Sequence, residues 1–210
     1  MIDLDSVVAK LVSAMEQPLP GREGQMLMAP IPIDESRFGQ VDNARVRRGA
    51  VLVLFYPGEA GCMVPFIKRP TYSGVHSGQV SLPGGKWDPE DEDLQITALR
   101  ETYEEIGVPA AEITVFGSLS QLYIPPSNFS VLPFLGYTEN KPRFRPDPHE
   151  VERLITCSFE YLASRDIRKK KPLQAGLQTL NAPYFDIDNE VVWGATAMIL
   201  SELLFLWENY

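Results

Sequence analysis

The segment that most limits what this chain can fold into is Ala50-Val51-Leu52-Val53-Leu54-Phe55-Tyr56. An unbroken run of apolar, β-branched and aromatic residues marks a strand covered on both faces, because a strand with one wet face alternates apolar and polar. Such a strand needs elements packed on each side of its sheet, which is a layered architecture. Pro57-Gly58 gives a turn, and Cys62 to Lys68 reads as a second strand. Gln79-Val80-Ser81-Leu82 alternates and stops at Pro83-Gly84-Gly85, a third short strand running into a loop.

The period then changes. From about Asp93 to Ile106 it is helical, with Leu94, Thr97, Ala98 and either Tyr103 or Ile106 inward, and Gly107 closes it as a C-cap. Strand patterns resume at 113–116, 119–124 and 129–137, the last two flanking the turn Pro125-Pro126-Ser127-Asn128. Residues 149–155 read as a short strand or a helical turn, 159–165 as helix, 167–172 as a solvated basic turn and 183–187 as extended chain. A long helix is expected over 191–207, with enough apolar breadth to suggest a homodimer surface. Upstream, residues 4–16 carry a helical stripe that ends before Pro18, and 28–33 are a proline-punctuated connection. This order predicts an α+β fold, an α/β/α sandwich with a mixed sheet between helices. Residues 1–45 are expected to pack on a main domain spanning 46–210.

Composition narrows the function classes. A net charge of -9 over 210 residues argues against a nucleic-acid partner, which needs a basic face. It leaves room for a phosphorylated small molecule, because one bound cation reverses the local sign of charge. Cys62 and Cys157 sit in apolar stretches and read as small buried hydrophobes in a reducing compartment. With only His76 and His149 beside them, a structural zinc site is not expected. No apolar run is long enough to span a bilayer, the longest being interrupted by Glu202, so no membrane partner is expected. The opening residues lack the order of a secretion signal, and a cytoplasmic location is the expectation.

The chemistry is concentrated in Arg100-Glu101-Thr102-Tyr103-Glu104-Glu105-Ile106-Gly107-Val108. On a helix, residues three and four apart are neighbours, with Cβ atoms about 5–6 Å apart, so Glu101 lies beside both Glu104 and Glu105. The negative end of the helix dipole disfavours anions there, and each like-charge pair adds a further ~0.2–0.5 kcal/mol. A divalent cation such as Mg²⁺, which takes oxygen ligands and keeps several waters, reverses that penalty. Arg100 can hold one of the carboxylates in a forked pair.

With Gly84-Gly85 before it, this segment resembles the signature of the Nudix hydrolases. Thr102 stands where the signature has an aliphatic residue, and the loop Lys86–Asp91 is one residue longer, so either Asp91 or Glu92 takes the outer acidic position. A second stretch, Lys68-Arg69-Pro70 followed by His76-Ser77-Gly78-Gln79-Val80-Ser81-Leu82-Pro83-Gly84-Gly85, is similar to the extra motif of the branch that hydrolyses coenzyme A, with Leu82 in place of the usual phenylalanine. The segment Val192-Trp193-Gly194-Ala195-Thr196-Ala197 is similar to that branch as well.

The resemblance implies Mg²⁺- or Mn²⁺-dependent hydrolysis of a nucleoside diphosphate derivative. For coenzyme A the products are 4′-phosphopantetheine and adenosine 3′,5′-bisphosphate. Glu101 and Glu105 are then the main metal ligands, and Glu104 is either a further ligand or the base that orients water. Arg100 is the orienter, and Gly84 and Gly85 let the backbone approach metal and substrate. Arg69 and Lys68 are candidates for substrate phosphates. His76 and Gln79 either touch substrate or hold the loop, and Glu150 is a candidate late carboxylate. Two alternatives stand beside this. One is a Nudix hydrolase of ADP-ribose, NADH or a dinucleoside polyphosphate, with Pro70 to Val75 lining a nucleoside pocket. The other is a nucleotide-binding regulator without turnover.

Overall fold

The computed structural model describes residues 1–39, 46–72, 76–175 and 178–210. Its frame is one mixed sheet built on β1 (Arg47–Gly58), a 12-residue strand. β1 runs parallel to β7 (Phe129–Tyr137), from Arg47 beside Phe129 to Phe55 beside Tyr137. Near its start β1 also pairs antiparallel with β4 (Gly84–Lys86), and near its end with β2 (Gly61–Lys68). β3 (Val80–Ser81) and β8 (Arg153–Ser158) pair with β2, while β5 (Thr114–Ser118) and β6 (Leu122–Ile124) pair with β7.

β1 is covered on both faces, as its apolar run requires. Leu52 and Leu54 join the core that contains Leu94, Ala98, Leu99 and Ile106 of α3 (Leu94–Ile106). Val53 and Phe55 point to the other side, into a larger core with α1 (Leu4–Ala14) and α5 (Gly194–Asn209). The result is the α/β/α sandwich expected from the sequence, with a mixed sheet between helices. Residues 1–39 contribute α1 and the short helix α2 (Arg22–Met26), which lies against α5.

Several local readings are corrected. The inward residue of α3 is Ile106, and Tyr103 is 57% exposed. Gly84 and Gly85 are not a loop but paired residues of β4, opposite Val51 and Ala50. The basic stretch 167–172 opens β9 (Arg168–Ala175), part of a separate antiparallel sheet with β10 (Gln178–Ile187) and β11 (Glu190–Trp193). Three consecutive lysines, Lys169 to Lys171, leave no apolar alternation there, which hides a strand from a reading based on apolar content. The expected long helix therefore starts at Gly194, three residues later than its apolar pattern suggests, because Val191 to Trp193 pair with β10. Of residues 149–155, the part from Arg153 on is strand and the part before it a turn.

Met198, Ile199, Leu200, Leu203, Leu204 and Leu206 of α5 are buried within the chain, so the breadth of that helix gives no argument for a dimer. Cys62 and Cys157 are free and buried, and burial pushes both thiols up to about 12. No helix among the described residues is long and apolar enough to cross a membrane.

Candidate active site

The site is built around the C-terminal half of α3. Asp93 starts the helix by accepting from the Ile96 N–H at 2.9 Å. Gly107 ends it with φ +75°, a left-handed conformation natural to glycine, and a Cβ there would stand 2.7 Å from Arg145 Cβ. The chain returns across this end. Arg145 N–H donates to the Ile106 carbonyl at 2.8 Å, and Asp147 N–H donates to the Glu105 carbonyl at 3.0 Å. Two carbonyls of the helix end are thus satisfied by the segment that delivers Glu150.

Glu101, Glu105 and Glu150 come together: each offers a carboxylate oxygen, and these oxygens lie within 4.8 Å of one another. Glu105 is 1% exposed. Its Oε2 accepts from the Gly84 N–H at 2.8 Å and its Oε1 from Arg69 Nη2 at 3.2 Å. Burial pushes this carboxyl up to about 7; Arg69 and the Gly84 N–H oppose the shift, and Glu101 and Glu150 add to it. Burial also raises Glu101, against the pull of Arg100. The three are hard oxygen donors crowded without full neutralisation, which is the donor set a divalent cation of the Mg²⁺ or Mn²⁺ type takes.

Gly85 and Glu101 are mutually dependent. A Cβ on Gly85 would stand 2.4 Å from Glu101 Cδ, so the carboxylate lies flat against the backbone of β4. Gly84, at φ +147°, presses on Ala50 and Val51 of β1 and leaves no room for a side chain. The pair is needed for close approach, but inside a ladder.

Arg100 has more partners than the sequence suggested. Its Nε and Nη2 fork onto Asp91 at 3.0 and 2.9 Å, and its Nη1 reaches Glu101 at 3.0 Å and Glu104 at 2.9 Å. Asp91 is buried and also accepts from Thr97 Oγ1 and the Asp88 N–H. Arg100 beside it holds the Asp91 carboxyl down at about 2. Glu92 is exposed, so the outer acidic position opposite Arg100 is filled by Asp91. Glu104 is not brought into the carboxylate group: half-exposed, it pairs with Arg100 alongside.

The remaining expected residues divide. Arg69, His76, Gln79, Gly84 and Gly85 all line a cleft of about 1190 Å³ that runs from the β4 edge toward β6, β7 and the start of α5. His76 Nδ1 and Gln79 Oε1 are 3.1 Å apart, so each fixes the other. Lys68 is outside this lining and forms ion pairs with Glu152 at 3.2 Å and Glu190 at 3.1 Å, joining β2 to β11. Tyr72 lines the cleft, and Ser73, Gly74 and Val75 lie outside the described residues. Sequence reasoning did not mark Arg37 or Arg47, which also line the cleft. No motif carries them, because each sits on a different element and the fold alone gathers them.

A mixed sheet between helices thus carries a carboxylate group where α3 meets the glycine strand β4. The NUDIX domain family matches residues 46–176, and the chain belongs to it. It is 32% identical over 183 residues to "Nudix hydrolase 15, mitochondrial" of Arabidopsis thaliana, covering 84% of this chain and 62% of that protein. It is also 32% identical to "Nudix hydrolase 22, chloroplastic" of the same plant, over 74% of this chain and 54% of that protein. The chain thus spans less than two thirds of either plant relative. It is 30% identical to an uncharacterised Nudix hydrolase, NudL, of Yersinia pestis, covering 84% of this chain and 88% of that protein. Among solved structures, the MutT protein of Methanosarcina mazei superposes with a TM-score of 0.52 at 14% identity, covering 81% of this chain and all of that one, a likeness of fold.

Proposed function

We propose that the chain hydrolyses the diphosphate bond of a nucleoside diphosphate derivative, and that this substrate is coenzyme A or one of its derivatives. The products are 4′-phosphopantetheine, or its acyl form, and adenosine 3′,5′-bisphosphate. One observation carries the hydrolase reading: Glu101, Glu105 and Glu150 bring carboxylate oxygens within 4.8 Å of one another, with Glu105 bonded to Gly84 and Glu101 against Gly85, two residues that line the cleft. A cation held by that group, Mg²⁺ or Mn²⁺, would neutralise diphosphate charge and lower the pKa of bound water.

The chain's own residues do the rest. Gly84 N–H and Arg69 anchor Glu105 in one position, and Arg100 fixes Glu101 against Gly85. Asp91 holds Arg100 in turn, so the ligand carboxylates rest on a second layer of paired groups. Glu104, beside the group and open to solvent, serves as a further ligand or as the acceptor that orients water. Water adds to one phosphorus and the bridging P–O bond breaks, so the geometry must hold both phosphoryl groups still while charge shifts.

The coenzyme A reading is supported by the similarity of Arg69 and of His76 to Gly85 to the extra motif of that branch. Of these, Arg69, His76, Gln79, Gly84 and Gly85 line the cleft, and Arg69 and Gly84 bond Glu105. The test is incubation with coenzyme A and Mg²⁺, read by chromatography, beside ADP-ribose, NADH and a dinucleoside tetraphosphate. Metal-dependent release of 4′-phosphopantetheine is expected. Intact coenzyme A together with cleavage of another panel member removes the substrate assignment and keeps the hydrolase; no cleavage of any member while ligands still raise the melting temperature turns the reading to a binding protein.

A further inference from the structure

Arg37 is partly exposed, but one of its nitrogens, Nη1, is buried and has no hydrogen-bond partner among the described residues. A buried guanidinium nitrogen without an acceptor is costly, and native structures rarely leave one unless a ligand or ion completes it. The same arginine lines the cleft. It lies on a short turn of 3-10 helix, Glu35–Phe38, upstream of residues 46–176. Its neighbour Asp34 acts on it through space but makes no hydrogen bond to it, accepting instead from the Ser36 hydroxyl at 2.6 Å and the Ser36 N–H at 3.1 Å.

Arg47 is a second uncommitted cation in that lining. Among the described residues it makes no ion pair; its guanidinium lies 4.2 Å from the ring centroid of Phe129, a contact that orients the group without neutralising its charge. The two arginines belong to one end of the cleft. The turn carrying Arg37 packs on β6, and in the ladder Phe129 pairs with Ile124 of β6 on one side and Arg47 of β1 on the other. β6 and β1 are therefore two strand spacings apart, roughly 10 Å. The other arginine of the lining, Arg69, is tied to Glu105. Although the chain carries 28 acidic side chains, none is among the described residues of the lining, which favours an anion at this end.

The register also sets the distance from the chemistry. Gly85, against which Glu101 lies, pairs with Ala50, three residues along β1 from Arg47. That separation is roughly 10 Å along the strand, with Arg47 on the face that carries Phe129 and Val51, and Ala50 on the face toward α3. We propose that Arg37 and Arg47 form a second anion subsite, for a phosphoryl group on the substrate distinct from the diphosphate that is cleaved. The proposal deepens the hydrolase reading and rests on it. It gives residues 1–39 a part in specificity: the N-terminal segment supplies one of the two cations to a cleft that β1, β6, β7 and the start of α5 also line. In coenzyme A the group so bound is the phosphomonoester on the ribose 3′ oxygen.

The test compares coenzyme A with 3′-dephospho-coenzyme A under Mg²⁺, in the wild-type protein and in Arg37→Ala, Arg47→Ala and Arg37→Lys. Wild type is expected to favour coenzyme A in kcat/KM by about 10- to 100-fold, the size of one or two charge-assisted hydrogen bonds. Each alanine variant is expected to lose most of that preference through KM, and Arg37→Lys to recover part of it, with melting temperatures recorded for each. Equal use of both compounds by wild type, or an unchanged preference in a folded Arg37→Ala, overturns the subsite. If wild type cleaves neither compound, the substrate assignment fails separately. Calorimetry with adenosine 3′,5′-bisphosphate against adenosine 5′-monophosphate then decides the subsite: a preference for the bisphosphate that Arg37→Ala abolishes supports it, and no preference overturns it.

Discussion

Among the described residues two glutamates are almost fully buried, and their surroundings differ in kind. Glu202 of α5, at 0% exposure, is saturated by neutral donors: Gly21 N–H and Ser120 N–H at 3.1 Å each, and Gln25 Nε2 at 2.9 Å. It ties the N-terminal segment and the loop before β6 to the C-terminal helix, where Gly24 packs so closely that a Cβ would stand 2.9 Å from Glu202 Cα. Glu105 of α3 has one N–H and one arginine, and two further carboxylates crowd it. Burial by itself therefore does not mark a functional carboxylate. The distinguishing sign is whether its neighbours leave negative charge uncompensated.

Substitutions break the comparison in opposite ways. Glu105→Gln is expected to cut metal-dependent turnover by well over about 100-fold, more than the loss of a metal ligand's supporting partner costs. The melting temperature without metal should hold or rise, since a like-charge contact is removed. Turnover within a few-fold of wild type would take Glu105 out of the centre. Glu202→Ala should do the reverse, leaving three buried donors without an acceptor and destabilising the fold by about 3 kcal/mol. Chemical denaturation measures this, and kcat of the folded fraction should be unchanged.

Gly85→Ala sharpens the geometric side of the contrast. The added methyl must displace the Glu101 carboxylate, and an activity loss of up to about 100-fold is expected with little change in unfolding midpoint. Glu150→Gln should weaken metal-induced stabilisation by about 10-fold in apparent affinity, read from melting temperature against Mn²⁺ concentration. The smallest effect concerns pH. With its folded-state pKa pushed up to about 7, Glu105 holds a proton that the unfolded chain releases near pH 4.5, so metal-free stability contributed by this group is lost as pH rises through that window. Metal must displace the proton, and the stabilisation by Mn²⁺ should be larger at pH 8 than at pH 5.5. Equal stabilisation at both values would show that Glu105 is ionised already.

Much of this was legible in local pattern. The double-faced burial of Ala50 to Tyr56, the α3 stop at Gly107 and the coupling of Arg100 to the glutamates all follow from short-range periodicity. The outer acidic position was not, because an extra residue in the loop made two carboxylates equivalent on paper. Asp91 fills it through three contacts made only once the loop folds back on Arg100 and Thr97. The three-stranded sheet over Arg168 to Trp193 was also hidden, since its lysines read as a solvated turn until their backbone partners are known.

By itself the chain sequence determined which residues carry charge on one helical face, where that helix stops, and which strand lies in the middle of the sheet. These are properties of neighbours within a turn or two, fixed by backbone geometry. Tertiary structure decided which carboxylate joins them, bringing Glu150 back across the helix end in place of the half-exposed Glu104. It also decided that Arg37 and Arg47 share one end of the cleft and that Lys68 does not belong to it. Those outcomes depend on strand register and chain crossing, in which residues far apart in sequence meet because their backbones pair, and no local pattern encodes that pairing.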